Sequence, residues 1–96
     1  MKTEVTIMLE DGTFRRRVMD SEPNDEDLVR WVGGAYRTLH PGQHTVLFGT
    51  VYVKANGEFG ERRNARAEES LGSPVHLFGR VVVTRPAPAQ TPRVRD

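Results

Sequence analysis

Three imidazoles, one run of carboxylates and several knots of arginine are the residues of this chain with chemical reach. His40 and His44 stand at a spacing that chelates zinc when both lie on one helix face. Pro41-Gly42 between them makes a turn instead, and no acidic or cysteine ligand adjoins either of them or His76. Asp25-Glu26-Asp27 has the composition of an acid–base pair. Placed directly after Asn24 and before an apolar run, however, these carboxylates fit the first turn of a helix, where the dipole favours negative charge. No Ser, Thr or Lys stands in a nucleophile elbow or a phosphate-cradling loop. These residues point to a non-enzyme without metal or cofactor.

The arginines are the stronger signal. Of the fourteen basic residues, all but Lys2 and Lys54 are Arg, clustered as Arg15-Arg16-Arg17, as Arg62-Arg63 with Arg66, and as Arg85, Arg93 and Arg95. A GC-rich coding sequence gives such a bias, and so does a need for bidentate contacts to carboxylates or phosphates. Thirteen acidic residues leave a net charge of +1, which argues against a polyelectrolyte that simply coats nucleic acid. With no cysteine, disulfides and thiolate metal sites are excluded. No apolar run resembles a signal or a membrane span, so a cytoplasmic protein with no membrane partner is expected. The length and 36% hydrophobic content suit one core and one domain over residues 1–85. Residues 86–96, with Pro86, Pro88, Pro92 and arginine, read as a disordered tail.

The positioning elements follow from periodicity. Val5, Ile7 and Leu9 alternate with polar residues and Met8, a half-buried strand. Asp11-Gly12 closes a hairpin, and Thr13 to Met19 returns. Arg16 shares a face with Phe14 and Val18 there, which suggests a β-bulge or a stem lying along the sheet rim. Leu28, Val32, Ala35 and Leu39 form a helical stripe beside Trp31, predicting one helix of about four turns that Pro41-Gly42 ends, with Gly33-Gly34 inside it. Thr45 to Ala55 reads as a strand, Asn56-Gly57 as a second hairpin turn, and 58–62 as a short returning arm. Asn64 to Leu71 reads as a helical turn ended by Gly72, and Val75 to Thr84 as the last, central strand.

Strand, strand, helix, strand, short arm, strand is an α+β order: a single mixed β-sheet with one crossing helix, of β-grasp type. Here the chain resembles the ubiquitin-like family. MKTEVTIMLEDGTFRRRV is similar to that family's opening hairpin, SEPNDEDLVRWV to its approach to the helix, HPGQHTVLFG to its third strand and SPVHLFGRVVV to its final strand. The resemblance spans roughly residues 1–84 and rests on pattern, with no specific motif. It implies a central last strand, parallel to the first and antiparallel to the third. Family members that are conjugated end in Gly-Gly; this chain ends Pro92-Arg93-Val94-Arg95-Asp96, so conjugation is not implied.

Two copies of LFGxVxV, Leu47 to Val53 and Leu77 to Val83, then become the third and last strands. On that plan Leu47, Gly49, Val51 and Val53 share the helix-covered face with Leu77, Gly79, Val81 and Val83, the glycines making room for Trp31. The opposite face carries Met8, Phe48, His76, Phe78 and Arg80, with Arg15 and Arg17 from the second strand, a mixture of apolar, aromatic and arginine residues that suits a protein interface. The resemblance adds that ubiquitin-like domains bind through this face, with a His two positions before an apolar residue, as His76 precedes Phe78. A protein partner is therefore expected, with the chain acting as a non-catalytic adaptor, inhibitor or assembly component. A second copy of the chain covering the same face is the homodimer alternative. The rival class is nucleic-acid binding, with sheet aromatics stacking bases and Arg62, Arg63 and Arg66 on phosphates.

Overall fold

Alternation at the start of the chain becomes β1 (Thr3–Met8), which turns through Asp11-Gly12 and pairs with β2 (Phe14–Met19). The computed structural model describes residues 2–39, 49–73 and 75–87. Thr13 donates its amide to the Asp11 carboxylate at 2.8 Å and accepts the Leu9 amide at 2.8 Å, closing the hairpin. The β1–β2 ladder runs unbroken from Thr3↔Met19 to Met8↔Phe14. No bulge turns Arg16 aside; it needs none, because β2 is an edge strand and Arg16 is simply exposed.

The helix that follows is shorter than its apolar stripe implies. Asn24 caps α1 (Asp25–Val32) through a capping box with Asp27, as the acidic first turn suggests. Gly33 then enters the left-handed region at φ 95°, and the amides of Gly33 and Gly34 both reach the Val29 carbonyl at 2.9 Å. Two glycines that adopt positive φ without strain end the helix where they stand. The residues after them form β3 (Tyr36–Leu39), paired with β4 (Thr50–Lys54). Leu39 is buried all the same, because strand alternation also turns it inward.

Asn56, at φ 58°, leads into a 3₁₀ turn over Gly57–Phe59 and not a returning strand. Only an isolated bridge between Arg63 and Phe78 remains of the expected 58–62 arm. The predicted turn at Asn64 to Leu71 is a helix, α2 (Ala65–Leu71), closed by Gly72 at φ 61°. β5 (Val81–Pro86) begins later than expected because Gly79, at φ 77°, interrupts extended backbone ahead of it. It also ends later: Ala87 still donates to the Lys2 carbonyl at 3.0 Å, past the expected boundary at residue 85. The expected tail beyond residue 87 lies outside the described residues.

The architecture is α+β, one five-stranded sheet in the order β2-β1-β5-β4-β3 with two helices. Every pairing is antiparallel, including β1 with β5, where the ubiquitin-like resemblance implied a parallel neighbour and a mixed sheet. The reason is local: α2 and Gly79 deliver the chain to the Met8 end of β1, so β5 starts at Met8↔Val81 and runs back to Thr3↔Pro86. The two halves of the repeat are neighbours, Val51↔Val83 and Val53↔Val81, related about the central pair Tyr52↔Val82.

Both faces of this sheet are covered. Leu28, Trp31 and Val32 of α1 pack with Val5 and Val82, and with half-buried Ile7, Met19, Tyr36 and Tyr52. Ala67 and Leu71 of α2 cluster with Met8, Leu39, Val51, Val53, Leu77, Val81 and Val83 on the other side. The faces are therefore exchanged relative to the expectation: the repeated valines lie under α2, while Tyr52 and Val82 face α1. Gly79 makes no room for Trp31, since a Cβ there would meet the Glu61 side chain at 3.2 Å.

One polar side chain fastens α2 to the sheet. Asn64 is fully buried. Its Nδ2 donates to the carbonyls of Met8 at 3.1 Å and Gly79 at 2.9 Å, and its Oδ1 caps the helix by accepting the Ala67 amide at 3.1 Å. The Asn64 amide donates to the Leu77 carbonyl at 2.7 Å. Each buried polar group left unsatisfied costs about 1–3 kcal/mol, and a lost cap about 1 kcal/mol. Asn64→Ala should therefore lower unfolding stability by about 3 kcal/mol in urea titrations. Asn64→Asp, which keeps the cap acceptor but cannot donate, should lose at least as much; a loss under about 1 kcal/mol for both would contradict the fastening role.

Candidate functional site

The residues expected on one docking face do not share one. Met8 is 5% exposed and sits in the core beside α2, because it pairs with Val81 and Phe14 on that side. Arg15 and Arg17 project on the α1 side of β2, opposite Ile7 and Val5, and not on the face away from that helix. His76 and Phe78 lie on the irregular run before β5, with their rings edge-on at 6.5 Å. Phe78 is half-buried, bridged to Arg63 through backbone and packed against Gly57. Arg80 is exposed and reaches the Trp31 carbonyl at 3.5 Å. Phe48, with His40 and His44, lies outside the described residues.

Around His76 the polar contacts are internal. Glu68 of α2 receives Arg63 through Nε at 3.0 Å and Nη2 at 2.8 Å, and the Leu77 amide at 2.9 Å. His76 Nδ1 stands 3.5 Å from the same carboxylate. Of the arginines considered for phosphate contact, Arg63 is thus committed to Glu68, Arg66 lies 5.9 Å over the Phe14 ring, and Arg62 is exposed. This cluster ties the 75–78 run to α2.

The sheet has two edge strands, β2 and β3, and β2 is the more exposed. Phe14 to Val18 are exposed, and among the described residues no strand pairs with the outer edge. The phase of the ladder follows from the Leu9 amide bonding to Thr13. In an antiparallel ladder the bonded pairs alternate, so Arg15, Arg17 and Met19 direct their peptide groups to β1, while Phe14, Arg16 and Val18 direct theirs outward. Arg17 stands 6.0 Å over the Trp31 ring. It helps line a concavity of about 350 Å³ with Ile7, Arg15, Arg16 and Trp31. On the other side Phe14, Arg16 and Val18 share the α2 face with Glu4, which pairs at 2.5 Å with Arg85 and lies 3.9 Å from Arg16. Among the described residues neither Arg15 nor Arg17 has a carboxylate within ion-pair distance.

The arginine triplet, expected to bulge or lie along the rim, was missed as an edge strand; its few apolar residues and several cations, which guard sheet edges, were the only hint of one. The outward phase of Phe14, Arg16 and Val18 was not readable, because it depends on the turn bond at Leu9. Trp31 carried a core signature and no sign of its place beside Arg17. Comparison with protein-family models, curated proteins and solved structures gave no match. Among the described residues no helix is long and apolar enough to cross a membrane, and no three His, Cys, Asp or Glu groups converge to hold a metal ion.

Arg63 foremost, with the Leu77 amide and His76, holds the Glu68 carboxyl down at about 2 against desolvation, from an ordinary value of 4.5. A folded pKa below the unfolded one gives stability that is present above the unfolded pKa and lost as pH falls toward the folded one. The melting-temperature gap between wild type and Glu68→Gln should be widest above about pH 5 and close toward about pH 2. A gap that does not change with pH would contradict the Glu68 cluster.

Proposed function

We propose that this protein is a non-catalytic interaction module that docks a protein partner along β2, the more exposed of the two edges of its sheet. The reading is carried by one observation: among the described residues β2 offers an unpaired backbone edge on which Arg15 and Arg17 have no carboxylate within ion-pair distance, whereas the two faces of the sheet are occupied by α1 and α2. Exposed edges of this kind are recognition elements when a partner supplies the missing bonds. Arginine and aromatic residues, present here as Arg15, Arg17, Phe14 and Trp31, are enriched where interfaces concentrate their energy. Exposed His76 and half-buried Phe78 form a ring pair at another place on the surface.

Nucleic acid is the second reading, favoured by Arg66 over Phe14 beside Arg16 on one face. Binding of that kind weakens steeply with salt and is removed by nuclease. A protein retained by wild type from nuclease-treated host extract should be lost from the Arg15→Glu, Arg17→Glu double variant. Thermal stability should stay within about 0.5 kcal/mol, the usual range for exposed positions. Full retention by the double variant, with loss on Phe78→Asp, would move the site away from β2.

A further inference from the structure

Resting on that edge reading, we infer that the ligand is an extended acidic segment of a partner protein that adds to β2 as a sixth strand. Three properties of β2 select it together. The outward peptide groups of Phe14, Arg16 and Val18 offer alternate donors and acceptors in the pattern another antiparallel or parallel strand completes. The cations occupy both sides of the strand: Arg15 and Arg17 toward α1, Arg16 toward α2. A strand ligand places successive side chains on opposite faces, so consecutive acidic residues would meet Arg17, Arg16 and Arg15 in turn. The third property is that among the described residues no carboxylate lies within ion-pair distance of Arg15 or Arg17, since Glu4 serves only the α2 side, where it already holds Arg85.

Other occupants fit less well. A nucleic acid lying across one face would reach the arginines of that face and leave the edge peptide groups unpaired. A second copy of this chain pairing β2 with β2 would set one arginine triplet against another, and like charges directly opposed destabilise a ladder. Arginines on an edge repel basic strands and desolvate poorly against apolar ones. An acidic strand neutralises them. The concavity beside Ile7, Arg17 and Trp31 adds room on the α1 side for the aliphatic stem of a glutamate of the ligand.

The test uses the full chain and a synthetic peptide with three consecutive glutamates flanked by valines, followed by backbone amide exchange and shift changes in NMR. Without peptide, the Phe14, Arg16 and Val18 amides should exchange freely while those of Arg15 and Arg17 are protected. With peptide, all five should be protected, and Arg16→Glu should weaken binding roughly tenfold. A peptide of the same charge with proline at alternate positions, which cannot donate to a ladder, should fail to bind. Binding that leaves the Phe14, Arg16 and Val18 amides unprotected would overturn strand addition. So would binding of a thymidine oligonucleotide in place of the peptide, or a dimer in which those amides are protected without ligand. If the peptide fails while the Arg15→Glu, Arg17→Glu variant still loses its native partner, the acidic strand is wrong and the docking edge stands.

Discussion

A single buried carboxamide determines how the second half of this chain meets the first. Asn64 satisfies the first turn of a helix, the carbonyl of Met8 at the end of β1 and that of Gly79 just ahead of β5 at once, all of them buried. Surface ion pairs such as Arg30 with Asp27 contribute about 0–1 kcal/mol, well below the cost of leaving Asn64's partners unmet. Once α2 is held there, Ala67 and Leu71 cover one sheet face, and β5 has to enter beside the end of β1 and run antiparallel to it. The faces left for a partner are then few. Both broad surfaces of the sheet are core over β1, β5 and β4, which leaves the margins of the sheet as its exposed parts.

The margin has its own physics. An edge strand presents half of its peptide groups to water, where they are satisfied cheaply but remain competent to pair with another chain. Cations guard such a strand, and they also give it a preference. Guanidinium groups hold carboxylates bidentately, and Trp31 beneath Arg17 helps fix one of them in place. Glu4 shows what an acidic residue does in this setting: flanked by Arg16 and Arg85, it is almost wholly buried. A partner's carboxylate on the opposite side of the strand would find Arg15 and Arg17 without that competition.

Much of the element order was legible. Alternation gave β1, Asp11-Gly12 gave the hairpin, Asn24 with its acidic first turn gave the start of α1, and Asn64 with Gly72 gave the bounds of α2. The errors share a cause. Ala35 and Leu39 continue a helical stripe in spacing, yet Gly33-Gly34 outweighed it, because left-handed closure is local and a stripe needs tertiary contacts to act. The valine repeat announced two similar strands correctly, but a strand apolar on both faces does not say which face meets which helix. Taking α2 for a mere turn left α1 as the sole cover, exchanged the faces of the repeated valines, put Arg15 and Arg17 on the wrong side, and left Met8 open on a face that α2 in fact covers. The site suffered most: an edge is a property of strand order, and strand order here depends on Asn64, whose burial no spacing reveals.

The covering of the sheet on both sides is the claim on which the proposed docking along its margin depends, and methyl–methyl and methyl–aromatic NOEs read it directly. The account predicts that the methyl groups of Val81 and Val83 show NOEs to Ala67 and Leu71, and that those of Val82 show NOEs to the Trp31 indole. NOEs from Val81 and Val83 to Trp31 and Leu28, with Val82 open to solvent, would contradict it and return the binding surface to the face of the sheet.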